Sequence, residues 1–506
     1  MSRITGFVRD MVLAFFFGTG LEIQAFIVAL RLPNLLRDLV AEGITNTTLV
    51  PVFSKLLTEE KKEQFLNLAR FLCKIIFIFL LAIVLVSQFI APLLVRLIAP
   101  GFYDNSTKLL LTIKLTRITF IYILLIGLVA FNTAILNSLR NFAPSALGPV
   151  LLNLSLIVGA FVSVRILPEP TVGLAWAVVV GGLLQLAIQL PALRSQRISL
   201  GAKFFNLSMD SPTKDLSKRI ARIFWPRIVG SAVYQLNVFI DTIMASLSFL
   251  VGQGAVAAIY YANRIIQLPL GVFAFAISNA LLPQLSSLVQ KDDRQNLTDT
   301  FYFAMKAISV IMIPASLFIL FQAGPLIKAV FQRGQFSPIS TQITSWALLF
   351  YALGLFSFAA VRIVLVCFYA FEDTRKPVEV AIICLVVNVV LNILLAIPLK
   401  VGGLALASSL SSFLNLALLC VFLKKRHIPT LEYGQIFGVS LLKVFLCSLV
   451  MALITRFIGQ ALSLHLPALI SAGLNVVFAI GIYVALGLVF KIKEITGTWR
   501  WILKKN

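Results

Sequence analysis

Charged residues are scarce in this chain, only 12% of 506 positions, and acidic ones are the scarcest, 20 against 43 lysines and arginines. A soluble domain of such length needs a charged, mixed-sign surface, and this sequence cannot build one. It is instead 59% hydrophobic, with a mean hydropathy of +0.98. Those values describe an all-α polytopic membrane protein, because helices satisfy their own backbone groups in lipid. The formal net charge of +23 would suggest nucleic acid in a soluble protein. Here the basic residues gather in short connections on one side, as the positive-inside rule requires, so no nucleic-acid partner is expected.

Other absences narrow the function. The five cysteines, Cys73, Cys367, Cys384, Cys420 and Cys447, lie in apolar segments without paired spacing, which excludes a disulfide framework or a cysteine metal site. The two histidines, His427 and His465, are far apart, and no chemistry is assigned to either. No Walker loop, HExxH motif, soluble carboxylate pair or large extramembrane domain is present. The chain reads as a transporter rather than an enzyme, driven by membrane potential or an ion gradient. No cleavable signal peptide is expected, since Arg3, Arg9 and Asp10 interrupt the first apolar run. That run, Ile4 to Phe17, is short for a span of about 20 residues. Either the first helix is broken or the chain begins later than its relatives do.

What is present is organised into fourteen apolar segments, near 2–17, 23–56, 70–98, 108–138, 143–166, 171–193, 220–250, 254–289, 300–328, 339–370, 377–398, 402–423, 434–459 and 466–490. Connections after even-numbered segments are basic, and those after odd-numbered ones are poor in Lys and Arg, which places both termini in the cytoplasm. The expected organisation is an N-lobe over 1–195, a basic cytoplasmic linker over 196–219 that can touch anionic headgroups, a C-lobe over 220–426, and a terminal helix pair with its tail over 427–506.

An internal repeat supports the two lobes. G-T-G at 18–20, A-L-R at 29–31 and L-V-P-V-F-S at 49–54 recur as G-Q-G at 252–254, A-N-R at 262–264 and L-L-P-Q-L-S at 281–286. GLAWA at 173–177 likewise matches GLALA at 403–407. Six spans separate the copies, so they share one orientation, and such duplications place a binding site at their interface near the membrane midplane.

The stretch from Gly18 to Leu57 carries the most charge within an apolar run. Arg31, Asn34, Asp38 and Glu42 follow helical spacing and form one polar stripe, with Arg37 beside it. Charge at the centre of a bilayer costs about 2.5–3.5 kcal/mol per residue on insertion scales and usually faces a water-filled cavity. The repeat pairs Arg31 with Arg264, so each half supplies an arginine, and Arg3, Arg9, Arg37 and Arg362 join them if their helices face inward. Guanidinium groups grip phosphate through paired hydrogen bonds, which suits a pyrophosphate. A membrane-surface helix, an internal ion-pair lock, or snorkelling of single arginines (above all Arg3 and Arg362) are the bland alternatives.

A second polar cluster comprises Asn237 and Asp241 in the seventh segment, Asn388 and Asn392 in the eleventh and Ser408 in the twelfth. A carboxylate among amide and hydroxyl oxygens suits Na⁺, or the carboxylate takes a proton. The alternative is asparagine hydrogen bonding that glues helices together.

The segments SRITGFVRD (2–10), FFGTGLEIQAFIVALRLPNLLRDLVAEG (16–43), VPVFS (50–54), YYANRI (260–265) and LLPQLS (281–286) resemble the MurJ/MviN lipid II flippases, within the multidrug/oligosaccharidyl-lipid/polysaccharide exporter superfamily. The resemblance runs along essentially the whole chain. It implies two six-helix lobes plus two C-terminal helices, and export by alternating access of lipid II, the undecaprenyl-pyrophosphate-linked peptidoglycan precursor, across a bacterial cytoplasmic (inner) membrane. It implies cavity arginines at Arg3, Arg9, Arg37 and Arg264, a lipid-tail groove at 434–490, and a sodium site at Asp241, Asn388, Asn392, Ser408 and the Leu404 carbonyl. Other cell-wall synthesis proteins are implied as neighbours. A sister exporter of another polyprenyl-linked oligosaccharide (O-antigen type) and a non-transport cell-wall scaffold are the rival readings. The chain departs from the family pattern at Gln24, where an acid is common, at Asp38, where a second arginine is common, and at Asn263, where an acid precedes the arginine.

Overall fold

The structure is a computed structural model and describes residues 2–40, 49–196, 198, 235–492 and 496. The described residues are almost wholly helical, and every one of the fourteen apolar segments contains a helix. Among the described residues, ten helices are long and apolar enough to cross a membrane, or eleven if a bent pair counts as one span. The chain divides into two compact units, Met1–Leu247 and Ser248–Asn506.

The first unit holds α1 (Ser2–Phe17), α2 (Leu21–Val40), α3 (Val50–Thr58), α4 (Lys62–Ile98), α5 (Ser106–Ser138), α6 (Ala143–Ile166), α7 (Pro170–Ser195) and α8 (residues 235–246). The predicted segment 23–56 therefore contains two helices, α2 and the short α3. In α3, Phe53 points inward and packs edge-on against Phe65 and Phe131, at ring distances of 5.3 and 6.2 Å. α5 is the pillar of this unit, buried along most of its apolar length, whereas α4 buries only a minority of its side chains. Outward residues such as Phe89 are large and apolar, which is tolerable only against lipid. Of the predicted linker 196–219, residues 196 and 198 are described. Residues 220–234 of the seventh predicted segment, and the tail basic residues Lys493, Arg500, Lys504 and Lys505, lie outside the described residues.

The second unit contains α9 (Ala255–Pro269), α10 (Phe275–Gln290), α11 (Arg294–Phe331), α12 (Pro338–Leu353), α13 (Leu355–Ala370), α14 (Arg375–Leu399), α15 (Val401–Arg426), α16 (Val439–His465) and α17 (Ala468–Val489). One π-helical turn, Leu270–Ala274, joins α9 to α10 directly after Pro269, so the two form a single span with a local widening. α12 and α13 meet at a 45° bend. Gly354 sits at that bend, where a Cβ would meet the Ser409 side chain at 2.5 Å, and Ser409 Oγ donates to the Phe350 carbonyl at 2.8 Å. The bend is thus packed closed and its backbone satisfied from α15. α16 is tied to α11 by a buried bond from Gln322 Nε2 to the Thr455 carbonyl, 2.9 Å.

The repeat is visible in the backbone of each unit taken alone. Gly18 has φ 55° just before α2, and Gly252 and Gly254 have φ 90° and 81° just before α9. In both copies, therefore, a glycine in the left-handed region breaks the chain ahead of an arginine-bearing helix. The GLAWA and GLALA copies each open the second arm of a tight helical hairpin, α6–α7 in one unit and α14–α15 in the other. A Cβ on Gly173 would overlap Ser163, and one on Gly403 would overlap the Leu395 carbonyl.

One histidine does have a structural role. His427 ends α15, stacks on Phe371 at 4.4 Å, and its Nε2 lies 3.0 Å from Asp373 Oδ2 in the turn between α13 and α14. Arg294, at the start of α11, donates to the His427 carbonyl at 2.9 Å, so one residue links three helix ends. Burial disfavours the ionised Asp373 carboxylate, but the Lys376 backbone N–H, the bond from His427 and the charges of His427 and Arg426 outweigh it. They hold its pKa below the ordinary value. A depressed carboxylate contributes stability above its unfolded pKa, about 3.9, and loses it as the pH falls through the lower folded value. Melting temperatures of the purified protein and its Asp373→Asn variant are expected to differ at pH 7, and the gap to narrow progressively as the pH falls below about 3.9; a gap that widens with acidification would contradict this linkage.

Candidate functional site

In the first unit the second arginine of α1, Arg9, is held in a buried polar lock. Arg9 Nε and Nη2 both donate to Asp10 Oδ1, at 3.0 and 2.7 Å, and Nη1 donates to Asn153 Oδ1 at 2.9 Å. Asp10 is 1% exposed and the Arg9 side chain 14%. Asn153, on α6, donates in turn to the Ser2 carbonyl (3.2 Å) and Thr5 Oγ1 (3.1 Å), and Gly6 leaves room for its amide. One asparagine thus fixes both the first turn of α1 and the guanidinium that follows it. Arg3 is exposed, whereas Arg31, Asn34 and Arg37 lie half-buried on α2. The side chain of Asp38 and the whole of Glu42 lie outside the described residues.

Gln24 occupies its position coherently. Its amide nitrogen donates to the Thr19 and Gly20 carbonyls at 3.0 and 3.2 Å, and its oxygen accepts from Lys108 Nζ at 3.0 Å. Lys108 also lies 3.7 Å above the Phe102 ring. A neutral amide and an aromatic face here do the work of a carboxylate partner, at the cost of burying an ammonium.

In the second unit Arg264 stands on α9 between two partners on its own face. Nη2 donates to Tyr260 Oη at 3.0 Å and Nη1 to Gln267 Oε1 at 3.4 Å, while the guanidinium carbon lies 4.7 Å from the Tyr260 ring centre. Arg362 on α13 stacks over Phe275, 3.9 Å from its centre, directly after the π-turn. Both arginines are half-buried, so neither projects fully outward from the helix bundle.

The polar pair of α14 is fully buried. Asn392 Nδ2 donates to Asn388 Oδ1 at 2.9 Å, and on α15 Ser408 Oγ donates to the Leu404 carbonyl at 3.1 Å. Amide, hydroxyl and carbonyl oxygens are the donor set a hard monovalent cation accepts. Asp241, the carboxylate of the predicted set, is half-buried on α8 in the first unit. Among the described residues no group of three His, Cys, Asp or Glu side chains is placed to hold a metal.

The sequence missed Asp10, Asn153, Tyr260, Gln267 and Phe275. Tyr260 and Gln267 carry a local signal, since they lie four before and three after Arg264 and so share its face. Asn153, 144 positions from Arg9, carries none.

The sequence pattern of the family described as Lipid II flippase MurJ matches residues 13–489. The chain belongs to that family. The probable lipid II flippase MurJ of Buchnera aphidicola subsp. Acyrthosiphon pisum (strain APS) is 31% identical over 457 residues, covering 90% of this chain and 87% of the relative. That of Rhizobium tropici is 33% identical over 429 residues, covering 84% and 79%. Among solved structures, a lipid II flippase MurJ in an inward closed conformation aligns with a TM-score of 0.77 at 25% identity, covering 97% of this chain and 96% of that one. An inward-facing multidrug transporter of the MATE family in the MOP superfamily aligns with a TM-score of 0.71 at 15% identity, a likeness of fold alone. This MurJ-family chain is therefore a multi-pass membrane transporter, not an enzyme.

Proposed function

We propose that this chain exports lipid II across a bacterial cytoplasmic membrane by alternating access. The observation that carries the reading is Arg264, a guanidinium anchored in the middle of an apolar span in a MurJ-family chain. Arginine presents a planar fork of donors that matches phosphate oxygens, and in a low-dielectric setting such bonds are strong. Arg264 and Arg37, with Arg9, take the pyrophosphate; Arg3, Arg31, Asn34 and Arg362 contribute secondary contacts. Glu42 belongs to the same predicted set. The terminal pair α16–α17, with its broad apolar exposure, accommodates the lipid tail.

Asp241, Asn388, Asn392, Ser408 and the Leu404 carbonyl are proposed to take Na⁺, or Asp241 a proton, as the coupling ion. An inner-negative potential favours expelling an anion and drawing a cation inward, about 2.3 kcal/mol per charge per 100 mV. Both termini are proposed to be cytoplasmic, and other cell-wall synthesis proteins to consume the exported lipid.

The test is replacement of a host's own lipid II flippase by this chain, followed by addition of an external lipid II-degrading toxin. Cleavage of lipid II in the outer leaflet is the expected result. Intracellular accumulation, with folded protein in the membrane, would favour the exporter of another polyprenyl-linked oligosaccharide or the cell-wall scaffold.

A further inference from the structure

The guanidinium of Arg264 is met from both ends of its own helix face, and one of those contacts reaches deep into the second unit. Tyr260 accepts from Nη2 and lies with its ring beneath the guanidinium, while Gln267 accepts from Nη1. Tyr260 is itself braced. Its ring meets Tyr261 edge-on at 5.4 Å, and Tyr261, which is fully buried, packs against Phe331 at 5.0 Å and Phe336 at 5.6 Å. Phe331 ends α11 and Phe336 precedes α12, with their rings 5.8 Å apart. The turn that carries them is closed by Phe336 N–H donating to the Arg333 carbonyl and by Arg333 Nη2 donating to the Ala329 carbonyl. Gly334 supplies the positive φ of 56° that the turn needs.

We propose that Tyr260 is a positioning residue for Arg264, and that it takes its pose from the aromatic column Tyr261–Phe331–Phe336. This rests on the reading of Arg264 as a pyrophosphate ligand. An arginine side chain has many rotamers, and ordering it at the moment of binding weakens affinity. A phenol that accepts one N–H and a ring that supports the plane remove most of that freedom beforehand. Phenylalanine would keep the ring and the column but lose the bond; leucine would lose both. Tyr261 plays a different part. It is a packing residue, and its loss should lower stability.

The experiment is equilibrium binding of lipid II to the purified full-length protein, with melting temperatures measured alongside. Tyr260→Phe is expected to weaken binding about tenfold, as loss of a hydrogen bond to a charged group implies, and Tyr260→Leu, which also loses the ring, further still. Melting of Tyr260→Phe should stay at the parent value, whereas Tyr261→Leu should lower it. The deciding measurement is the double variant. In an Arg264→Ala background, Tyr260→Leu should cost nothing further if it acts through the arginine. An equal loss with and without Arg264 would overturn the positioning role and make Tyr260 a direct ligand. Parent-like binding by both Tyr260 variants, with Arg264→Ala defective, would overturn it and leave Arg264 as a ligand. Parent-like binding by Arg264→Ala would remove the underlying reading, and the proposal with it.

Discussion

Arg264→Ala is expected to lower lipid II export at least thirtyfold while leaving folded protein in the membrane. Truncating one partner of a desolvated, hydrogen-bonded charge pair costs about 2–5 kcal/mol, which spans factors from about thirty to several thousand. The structural cost should be small by comparison. The contacts of Arg264 to Tyr260 and Gln267 lie within its own helix, so α9 keeps its backbone when they go. Arg264→Lys separates charge from geometry. Lysine keeps one positive charge but loses the fork and the planar stacking on Tyr260, so its activity should fall between parent and alanine. The measurement is toxin-accessible lipid II in the rescued host, normalised to protein in the membrane. Parent-level export by the alanine variant would sink the assignment of this arginine to the substrate.

A second large effect belongs to stability. Asp10→Ala should destabilise the first unit by about 3–5 kcal/mol, because it takes from a largely desolvated guanidinium the carboxylate that accepts two of its bonds, at 3.0 and 2.7 Å. Combining it with Arg9→Met should recover much of that loss, since a buried pair removed together leaves no stranded charge. The double variant should still fail to export if Arg9 contacts the pyrophosphate. Thermal unfolding of the purified protein reads the first effect and the export assay the second. If the double variant melts as low as the single one, Asp10 matters for a reason other than its arginine.

The fold was legible because its determinants are regional. Twenty-residue apolar runs announce spans whatever their partners. The arginines were legible for the opposite reason, since each is a costly exception within such a run. What surrounds them was harder to read. Asp10 stands next to Arg9 in the chain, yet by itself the letter marks only an interruption of the first apolar run. Asn153 joins Arg9 through tertiary packing that no local pattern encodes. The role of His427 is not legible in the sequence, because what gives it one, the ring of Phe371 and the carboxylate of Asp373, arrives from a different helix end. Tyr260 could have been found from its spacing, but an aromatic at helical spacing is more often core than clamp. Its neighbour Tyr261 is indeed core.

The two hairpin glycines, Gly173 and Gly403, carry a meaning beyond packing. At each, even a single added methyl would collide with the opposing arm, so neither copy could drift to another residue without losing its hairpin. Gly402, next to one of them, is likewise crowded by Trp346 and Phe350, and the letters that follow both glycines agree at Leu174/Leu404, Ala175/Ala405 and Ala177/Ala407. These glycines therefore act as fiducial marks of the repeat, points from which its two sequence copies can be brought into register where most of the intervening letters differ.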